Sequence, residues 1–447
     1  METKGRPEKV SREKKTAITK VTVGGFKSIA KKQSIEIRPL TILAGANSSG
    51  KSSMMQSLLL LKQTLEASYD PGPLLLDGPN VKFSSLEQIF SRCGESPAGK
   101  SFSFGISVAE TDTIEVTFAQ GKGLEIRELT YSGKGGHGTL RQEMSSNEAV
   151  RNYPQQMRDD LDYSFPEPGI KEFEFTVGRI RCFLEARDIS GQAAGFRFVP
   201  GDPAGVAVQG LIHLPGLRGN PERAYPKTAV GPMFPGTFEN YAASVIANWQ
   251  DQKDVETLKR LGADLEFLGL TWKVVAKPID DTKYELYVGR LSHAARSKGE
   301  KNDLVSIADA GFGISQALPL LVALHVAAPG QMVYVEQPEL HQHPRAQSAL
   351  ALVLANAAKR GVRVVAETHS SLLLLGIQSL VAEGKLPEDL VKLHWFTRDA
   401  KDGSTKVDSA ELDKAGRFGD WPEDFGQVEL EADNHYLDAV DALHLKE

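Results

Sequence analysis

The chain has 447 residues, 41% hydrophobic and 25% charged, with a formal net charge of −6 at pH 7. These proportions belong to a soluble globular protein of two or three domains, and the acidic balance gives no overall attraction to nucleic acid. Two cysteines, Cys93 and Cys182, make neither a disulfide framework nor a four-ligand zinc site, and no apolar run reaches the roughly 20 residues that span a bilayer. No secretory leader and no membrane association are expected, and a reducing cytoplasm is the expected setting.

Residues 1–15 are charged, mixed in sign and aperiodic, so a disordered tail is expected there. A DNA-binding basic arm is the sharper reading, but Glu2, Glu8 and Glu13 dilute it. Strand-like alternation begins with 18–23, turns at Gly24-Gly25, and resumes at 34–37. The short apolar run 40–44 reads as a buried strand. It leads into Gly45-Ala46-Asn47-Ser48-Ser49-Gly50-Lys51-Ser52, which fits G-x-x-x-x-G-K-[ST], the phosphate-binding loop. Good helix formers follow over 53–63. Strand, Gly-rich turn and helix aim backbone N–H groups and a positive helix end at a phosphate. Gly45, Asn47, Ser48, Ser49, Gly50, Lys51, Ser52 and Ser53 are therefore the expected nucleotide-binding set. Lys51 would reach the β/γ-phosphates, and the Ser52 hydroxyl would hold Mg²⁺.

A breaker cluster, Asp70-Pro71-Gly72-Pro73, ends this unit. The segment 83–90 is expected to return a polar side chain, Gln88, towards the nucleotide and its metal. Alternation over 101–131 predicts an antiparallel meander, with the Gly-rich 132–138 as a loop. Residues 140–235 are broken by Pro154, Pro166, Pro168, Pro200 and Pro203, with strands expected at 173–177, 180–185 and 211–214. Helices at 238–249 and 255–261 and a hairpin from 272–275 and 283–288 follow.

The last third alternates. Helices at 315–327, 346–359 and 372–383 separate strands at 331–335, 362–366 and 391–396, which implies parallel pairing. Ligands in such sheets bind at the carboxyl ends of the strands, and three polar clusters stand there. Glu336 ends an apolar strand, as the second Mg²⁺ contact of phosphate-loop ATPases does, and is followed by Gln337, Pro338 and Glu339. His369, in Glu367-Thr368-His369-Ser370, is placed to bond a γ-phosphate or an attacking water. Gly311 and Gly313, with Ser315, open a helix and form a second anion-binding turn. The group Glu339, His341 and His343 also has metal-ligand chemistry, but it lacks further ligands, and Pro344 points to a loop.

In order and spacing these parts resemble the ABC-type ATPases of the SMC, RecF and overcoming-lysogenisation (OLD) group. The likeness rests on the loop 45–52, the signature-like turn 310–316, a Walker B strand ending Glu336-Gln337-Pro338-Glu339-Leu340-His341, the switch-histidine loop 367–370, and the entry Phe26-Lys27-Ser28-Ile29. It covers roughly 16–130 and 285–400. Within the group the chain looks most like stand-alone ATPases with an E-Q-P-E Walker B and a D-W-P-x-x-F motif, here Asp420 to Phe425. Such proteins occur in anti-phage cassettes, including PARIS-like and Septu-like systems, beside a separate effector.

The resemblance implies an α/β fold: an ABC-type ATPase head with a mixed central sheet, an antiparallel meander lobe and an inserted α+β region. The expected division is a tail 1–15, ATPase parts 16–135 and 283–400, an insert 136–282 and an extension 401–447. It implies ATP and Mg²⁺ as ligands. It implies a homodimer, or a higher homo-oligomer, in which two ATPs are sandwiched head to tail and Gly311, Gly313 and Ser315 of one subunit close over the other's nucleotide. Glu336, Gln337, Glu339 and His369 become the catalytic set, and Ser52, Gln88 and Glu336 the metal set. Two departures stand out: Phe312 replaces the usual signature serine, and Gln337 replaces the usual catalytic glutamate.

Two functions follow from this pattern. One is a slowly hydrolysing, nucleotide-gated assembly or sensor subunit that controls a partner nuclease or toxin. The other is a DNA-repair or recombination ATPase that clamps DNA directly. No nuclease centre is expected in the chain itself. The acidic end, with Asp438 and Asp441, has helical spacing through Leu437, Val440 and Leu443, and reads as a solvated or partner-docking helix.

Overall fold

The alternating start of the chain folds as β1 (Ile18–Gly24), which pairs antiparallel with β2 (Gln33–Glu36). The apolar run after Pro39 is β3 (Leu40–Gly45), buried along its whole length, and it passes through the phosphate loop into α1 (Lys51–Glu66). The computed structural model describes residues 17–93, 99–109, 111–134, 136–155, 157, 159, 174–190, 197–218, 221–290, 303–419, 431 and 434–437. The tail 1–15, the motif 420–425, and Asp438, Val440, Asp441 and Leu443 lie outside the described residues.

Strands β4 (Ser101–Val108), β5 (Asp112–Gln120), β6 (Leu124–Gly133) and β7 (Gly136–Leu140) join the first two in an antiparallel sheet of order β2-β1-β4-β5-β6-β7. The Gly-rich stretch expected as a loop is instead a hairpin end. Gly133 pairs with Gly136, whose φ of 132° suits only glycine. After α2 (Ser146–Arg151), β8 (Phe175–Ile180), β9 (Phe183–Asp188) and β10 (Arg197–Phe198) form a small sheet. Helix α3 (Asp202–Gln209) precedes β11 (Ile212–Leu214), and β12 (Tyr225–Pro226) follows. Helices α4 (Ala242–Asp251) and α5 (Val255–Phe267) lead to β13 (Val274–Pro278), β14 (Lys283–Gly289) and β15 (Leu304–Ser306), which make a further sheet with β12.

The alternating last third gives α6 (Phe312–Val326), β16 (Met332–Glu336), α7 (Pro344–Lys359), β17 (Arg363–Glu367), α8 (Ser371–Ala382), β18 (Val391–Arg398) and β19 (Thr405–Ala410). Pro344 opens α7 rather than extending a loop: its missing N–H falls where a helix has no acceptor for one, and His343 caps the turn by accepting from Arg345 N. The central sheet has the order β11-β16-β17-β3-β18-β19. All neighbours are parallel except β18 and β19. The fold is thus α/β with a mixed central sheet and an antiparallel lobe.

Side-chain parity divides the core in two. Ile42, Val333, Val335, Val364 and Ala366 pack with α4 to α8 on one face of the sheet. Leu43, Tyr334, Val365 and Phe396 pack with α1 and the antiparallel lobe on the other. The α1 face also holds a buried ion pair. Lys62, 0% exposed, bonds Glu66 and donates to the Phe234 carbonyl at 3.1 Å, while Gly236 N donates to Glu66 at 3.0 Å. This pair ties the phosphate-loop helix to the segment before α4.

His394 is buried in β18. Its Nε2 lies 2.8 Å from the Glu36 carbonyl, so that nitrogen carries the proton and Nδ1 accepts from Ser409 Oγ, also at 2.8 Å. Burial pushes its pKa down to about 4. The unfolded chain therefore takes up this proton first. Stability should be complete above about pH 6.5 and fall by about 3 kcal/mol towards pH 4. Urea unfolding at pH 7 and pH 4.5 checks this, and His394→Gln should show a smaller loss than wild type over the same interval.

Candidate active site

The phosphate loop needs its glycines for space and for backbone conformation. Gly45 and Gly50 have φ of 138° and 108°, and Ser48 is held at 61°. A Cβ on Gly45 would fall 2.2 Å from the Phe396 carbonyl, and one on Gly50 2.2 Å from Thr405 Oγ1. The strands beyond the loop clamp it: Arg398 Nε donates to the Ser48 carbonyl at 2.7 Å, and Thr405 Oγ1 lies 2.8 Å from both the Ser49 carbonyl and Ser28 Oγ. Ser28 belongs to the Phe26-Lys27-Ser28-Ile29 entry, so that motif braces the loop from behind. Asn47 and Ser48 are exposed, while Ser49, Gly50, Lys51 and Ser53 are buried. Lys51 Nζ donates to the Gly45 and Ala46 carbonyls, both at 2.9 Å. Burial lowers its pKa, and the charges of Glu367 and Glu339 oppose that shift. Ser49 Oγ is buried without a protein partner.

Sheet register delivers the carboxylates. Glu336 and Glu367 are Cα partners across β16 and β17, and Glu367 is level with Leu43 of β3, two residues before the loop's first glycine. Ser52 Oγ donates to Glu367 Oε1 at 2.9 Å, and Tyr334 OH to Oε2 at 3.0 Å. Burial and the Glu336 charge raise the Glu367 pKa, and Ser52, Lys51 and Tyr334 hold it back. Glu336 Oε1 lies 3.2 Å from His213 Nε2, and His213 Nδ1 lies 3.1 Å from Asn80 Nδ2. Asn80 Nδ2 also meets the Gly236 carbonyl at 3.0 Å, which fixes it as the amide nitrogen. His213 Nδ1 is therefore the acceptor, and Nε2–H donates to Glu336.

The loop after Glu336 folds back over this edge. Gln337 takes a left-handed φ of 44°, and its N–H donates to the Glu367 carbonyl at 2.7 Å. Glu339 Oε1 accepts from His369 N at 2.8 Å, and its Oε2 is buried without a protein partner. Burial lowers the His369 pKa, as does the Lys51 charge, against a hydrogen bond to the Gly45 backbone. The structure thus brings together the loop 45–52, Glu336, Gln337, Glu339 and His369.

Other expected site residues sit elsewhere. Gln88 is exposed, and its amide closes a ring with Ser84 through two 2.9 Å hydrogen bonds. A 3₁₀ turn over Leu86–Gln88 places these side chains side by side. Gly311 caps α6, and the Ser315 hydroxyl is turned onto the Phe312 carbonyl at 2.8 Å. The Gly313 carbonyl accepts from Gln342 Nε2 at 2.9 Å, and Phe312, 47% exposed, leans on His341 with ring centroids 5.6 Å apart. This turn therefore packs on the loop after Glu336, with Phe312 facing solvent. With His341 against Phe312 and His343 capping α7, those histidines are occupied in packing. Among the described residues no group of three or more His, Cys, Asp or Glu is placed to hold a metal.

Sequence reasoning missed Tyr334, Glu367, His213, Asn80 and Arg218 as site residues. A tyrosine in an otherwise apolar strand, two residues before Glu336, was the available signal for one of them. Arg218 had none. Only 5% exposed, it donates from Nη2 to the Glu336 and Gln337 carbonyls at 2.8 and 3.2 Å and from Nη1 to the Gln316 carbonyl at 3.0 Å. It ties α6 to the end of β16. Burial lowers its pKa to about 10, against the charges of Glu339, Glu239 and Glu336, so it stays protonated at neutral pH.

The donor set fits a nucleoside triphosphate with a divalent cation. A glycine loop opens a helix with an ammonium and a hydroxyl, the hydroxyl is backed by a carboxylate, and buried Ser49 Oγ and Glu339 Oε2 have acceptor or donor capacity to spare. A family model described as "AAA domain, putative AbiEii toxin, Type IV TA system" matches residues 199–375. That span holds His213, Arg218, the turn 311–316, Glu336, Glu367 and His369, while the phosphate loop lies before it. No curated protein matches the chain. Among solved structures, an SMC head bound to the C-winged helix domain of ScpA aligns at 14% identity and TM-score 0.46, over 89% of this chain and 99% of that one. The SMC head domain from Thermotoga maritima aligns at 11% and 0.43, over 89% and 100%. A Smc head with an extended coiled coil, from Pyrococcus furiosus and bound to the C-terminal domain of ScpA, aligns at 12% and 0.42, over 89% and 97%.

Arg218→Met leaves three backbone carbonyls without their donor in a buried place. It should lower the unfolding free energy by about 3 kcal/mol, and Arg218→Lys by less, in urea denaturation. Equal stability of all three proteins would contradict the tie.

Proposed function

We propose that this chain binds ATP with Mg²⁺ at the loop 45–52 and hydrolyses it slowly, as a nucleotide-gated subunit that controls a separate effector. The convergence of Lys51, Ser52, Glu336, Glu339, Glu367 and His369 at one edge of parallel strands carries this reading. Lys51 and the loop N–H groups hold the phosphates. Ser52 and Glu336 hold the cation, whose chemistry is to neutralise the charge that develops on the phosphates. His369, neutral at pH 7, lies beside Lys51 and the loop, where a γ-phosphate contact would be made.

Slow turnover follows from the loop after Glu336. Activating water needs a positioned base. Gln337 cannot ionise and can only orient a water. Glu339 can act as base through its free Oε2, but its other oxygen is committed to His369 N. Regulation then lies in binding more than in turnover. In a head-to-tail dimer, Gly311, Gly313 and Phe312 of one copy would close over the nucleotide of the other, so ATP favours assembly by mass action. Phe312 already faces solvent as such a contact requires. The effector, a nuclease or toxin in an anti-phage setting, would read the assembled state. The matched family's description, which names a toxin–antitoxin system, is in keeping with an effector-coupled role.

Lys51→Ala should abolish ATP binding in calorimetry and leave the melting temperature near that of wild type; equal affinity in the variant refutes the phosphate-loop reading. Gln337→Glu should raise phosphate release, and Glu336→Gln should nearly stop it, in single-turnover assays. Duplex DNA binding that requires ATP and weakens steeply with salt would instead favour direct DNA clamping.

A further inference from the structure

We propose that Tyr334 and Glu367 are positioning residues that aim the Ser52 hydroxyl at the bound cation. The inference rests on the ATP-binding reading above and adds an inner layer to that site. Tyr334 is fully buried in β16, where its neighbours Met332, Val333 and Val335 are all apolar. A hydroxyl in such a place is costly unless it is bonded. Parity puts it on the α1 face with Glu336, and its hydroxyl reaches Glu367 Oε2 at 3.0 Å. The His213 ring stacks on it, with centroids 5.5 Å apart and planes 9° apart, which fixes the ring's plane. Glu367 is 6% exposed, and its other oxygen takes the Ser52 proton at 2.9 Å.

The consequence lies in the hydrogen-bond inventory. A serine hydroxyl has one proton and two acceptor lone pairs. With the proton drawn inward to Glu367, both lone pairs of Ser52 Oγ point away from the carboxylate and are open to a cation. A proton left free to rotate would compete with the cation for that side. Tyr334 keeps Glu367 in place by occupying its second oxygen, so the carboxylate cannot turn away from Ser52. The chain Tyr334–Glu367–Ser52 is an outer-shell device of the kind whose loss weakens metal binding by about 10- to 100-fold.

Tyr334→Phe removes one oxygen and keeps the ring, and Glu367→Gln keeps the volume and removes the charge. Mn²⁺ binding to the full chain saturated with the β,γ-imido analogue of ATP can be followed by electron paramagnetic resonance. Both variants should bind Mn²⁺ about tenfold more weakly or worse. The affinity of Tyr334→Phe for the analogue in excess EDTA, with the Glu367 charge retained, should match wild type, whereas a merely structural role would lower the affinities for analogue and Mn²⁺ together. In a Ser52→Ala background, adding Tyr334→Phe should change Mn²⁺ affinity no further. Unchanged Mn²⁺ affinity in both single variants, or an undiminished effect of Tyr334→Phe in the Ser52→Ala background, overturns the proposal. Failure of wild type to bind the analogue at all overturns the ATP reading and the proposal with it, so the two failures are told apart.

Discussion

The parallel register of β3, β16 and β17 is the constraint on which the rest of the site depends. Because side chains alternate along a strand, a shift of one residue would turn Glu336 and Glu367 from the α1 face into the opposite apolar core. The register is held by apolar partners on both faces: Val333 and Val335 on one, Tyr334 and Val365 on the other. Burial of both faces leaves no alternative pairing that keeps both carboxylates beside Ser52 of the phosphate loop. Two carboxylates at adjacent strand ends repel, and the structure offsets this with local donors: His213 for Glu336, and Ser52 and Tyr334 for Glu367.

Those donors come from three separate stretches of chain, and this explains what could be read from sequence. Residues 45–52 form a local motif whose chemistry is complete within eight positions, so it was legible. Glu336 and His369 were legible because each ends a run of β-formers at helix-spaced intervals. His213 and Arg218 were not. His213 lies in, and Arg218 just after, a three-residue strand, β11, in a region rich in proline, and nothing local says that this strand joins the edge of the central sheet beside β16. Their roles arise only from that long-range pairing. Gln88, a polar residue beside a 3₁₀ turn, has its amide on Ser84. Strand β19 was also missed, since Thr405–Ala410 alternates weakly, yet Thr405 packs against the phosphate loop.

Arg218 adds a mechanical consequence. The turn 311–316 and the end of β16 belong to different elements. One guanidinium bonds both, through backbone carbonyls that no side-chain substitution can remove. A planar fork can reach three carbonyls at once, which an ammonium on a flexible stem cannot do with the same rigidity. The loop after Glu336 is thereby tied to α6.

Charge balance finally argues for a divalent cation as part of whatever binds here. Glu336 and Glu367 repel each other at neighbouring strand ends, and the charges of Glu367 and Glu339 act on Lys51 beside them. Arg218 is engaged with carbonyls behind the loop, and Arg398 with the loop's outer backbone. A triphosphate brings several further negative charges to this edge. At an effective dielectric constant of 20, each pair of unit charges 4 Å apart repels by about 4 kcal/mol. A divalent cation between the phosphates and the carboxylates reverses the sign of those terms. The carboxylates that disfavour a bare triphosphate would then favour a metal-bound one.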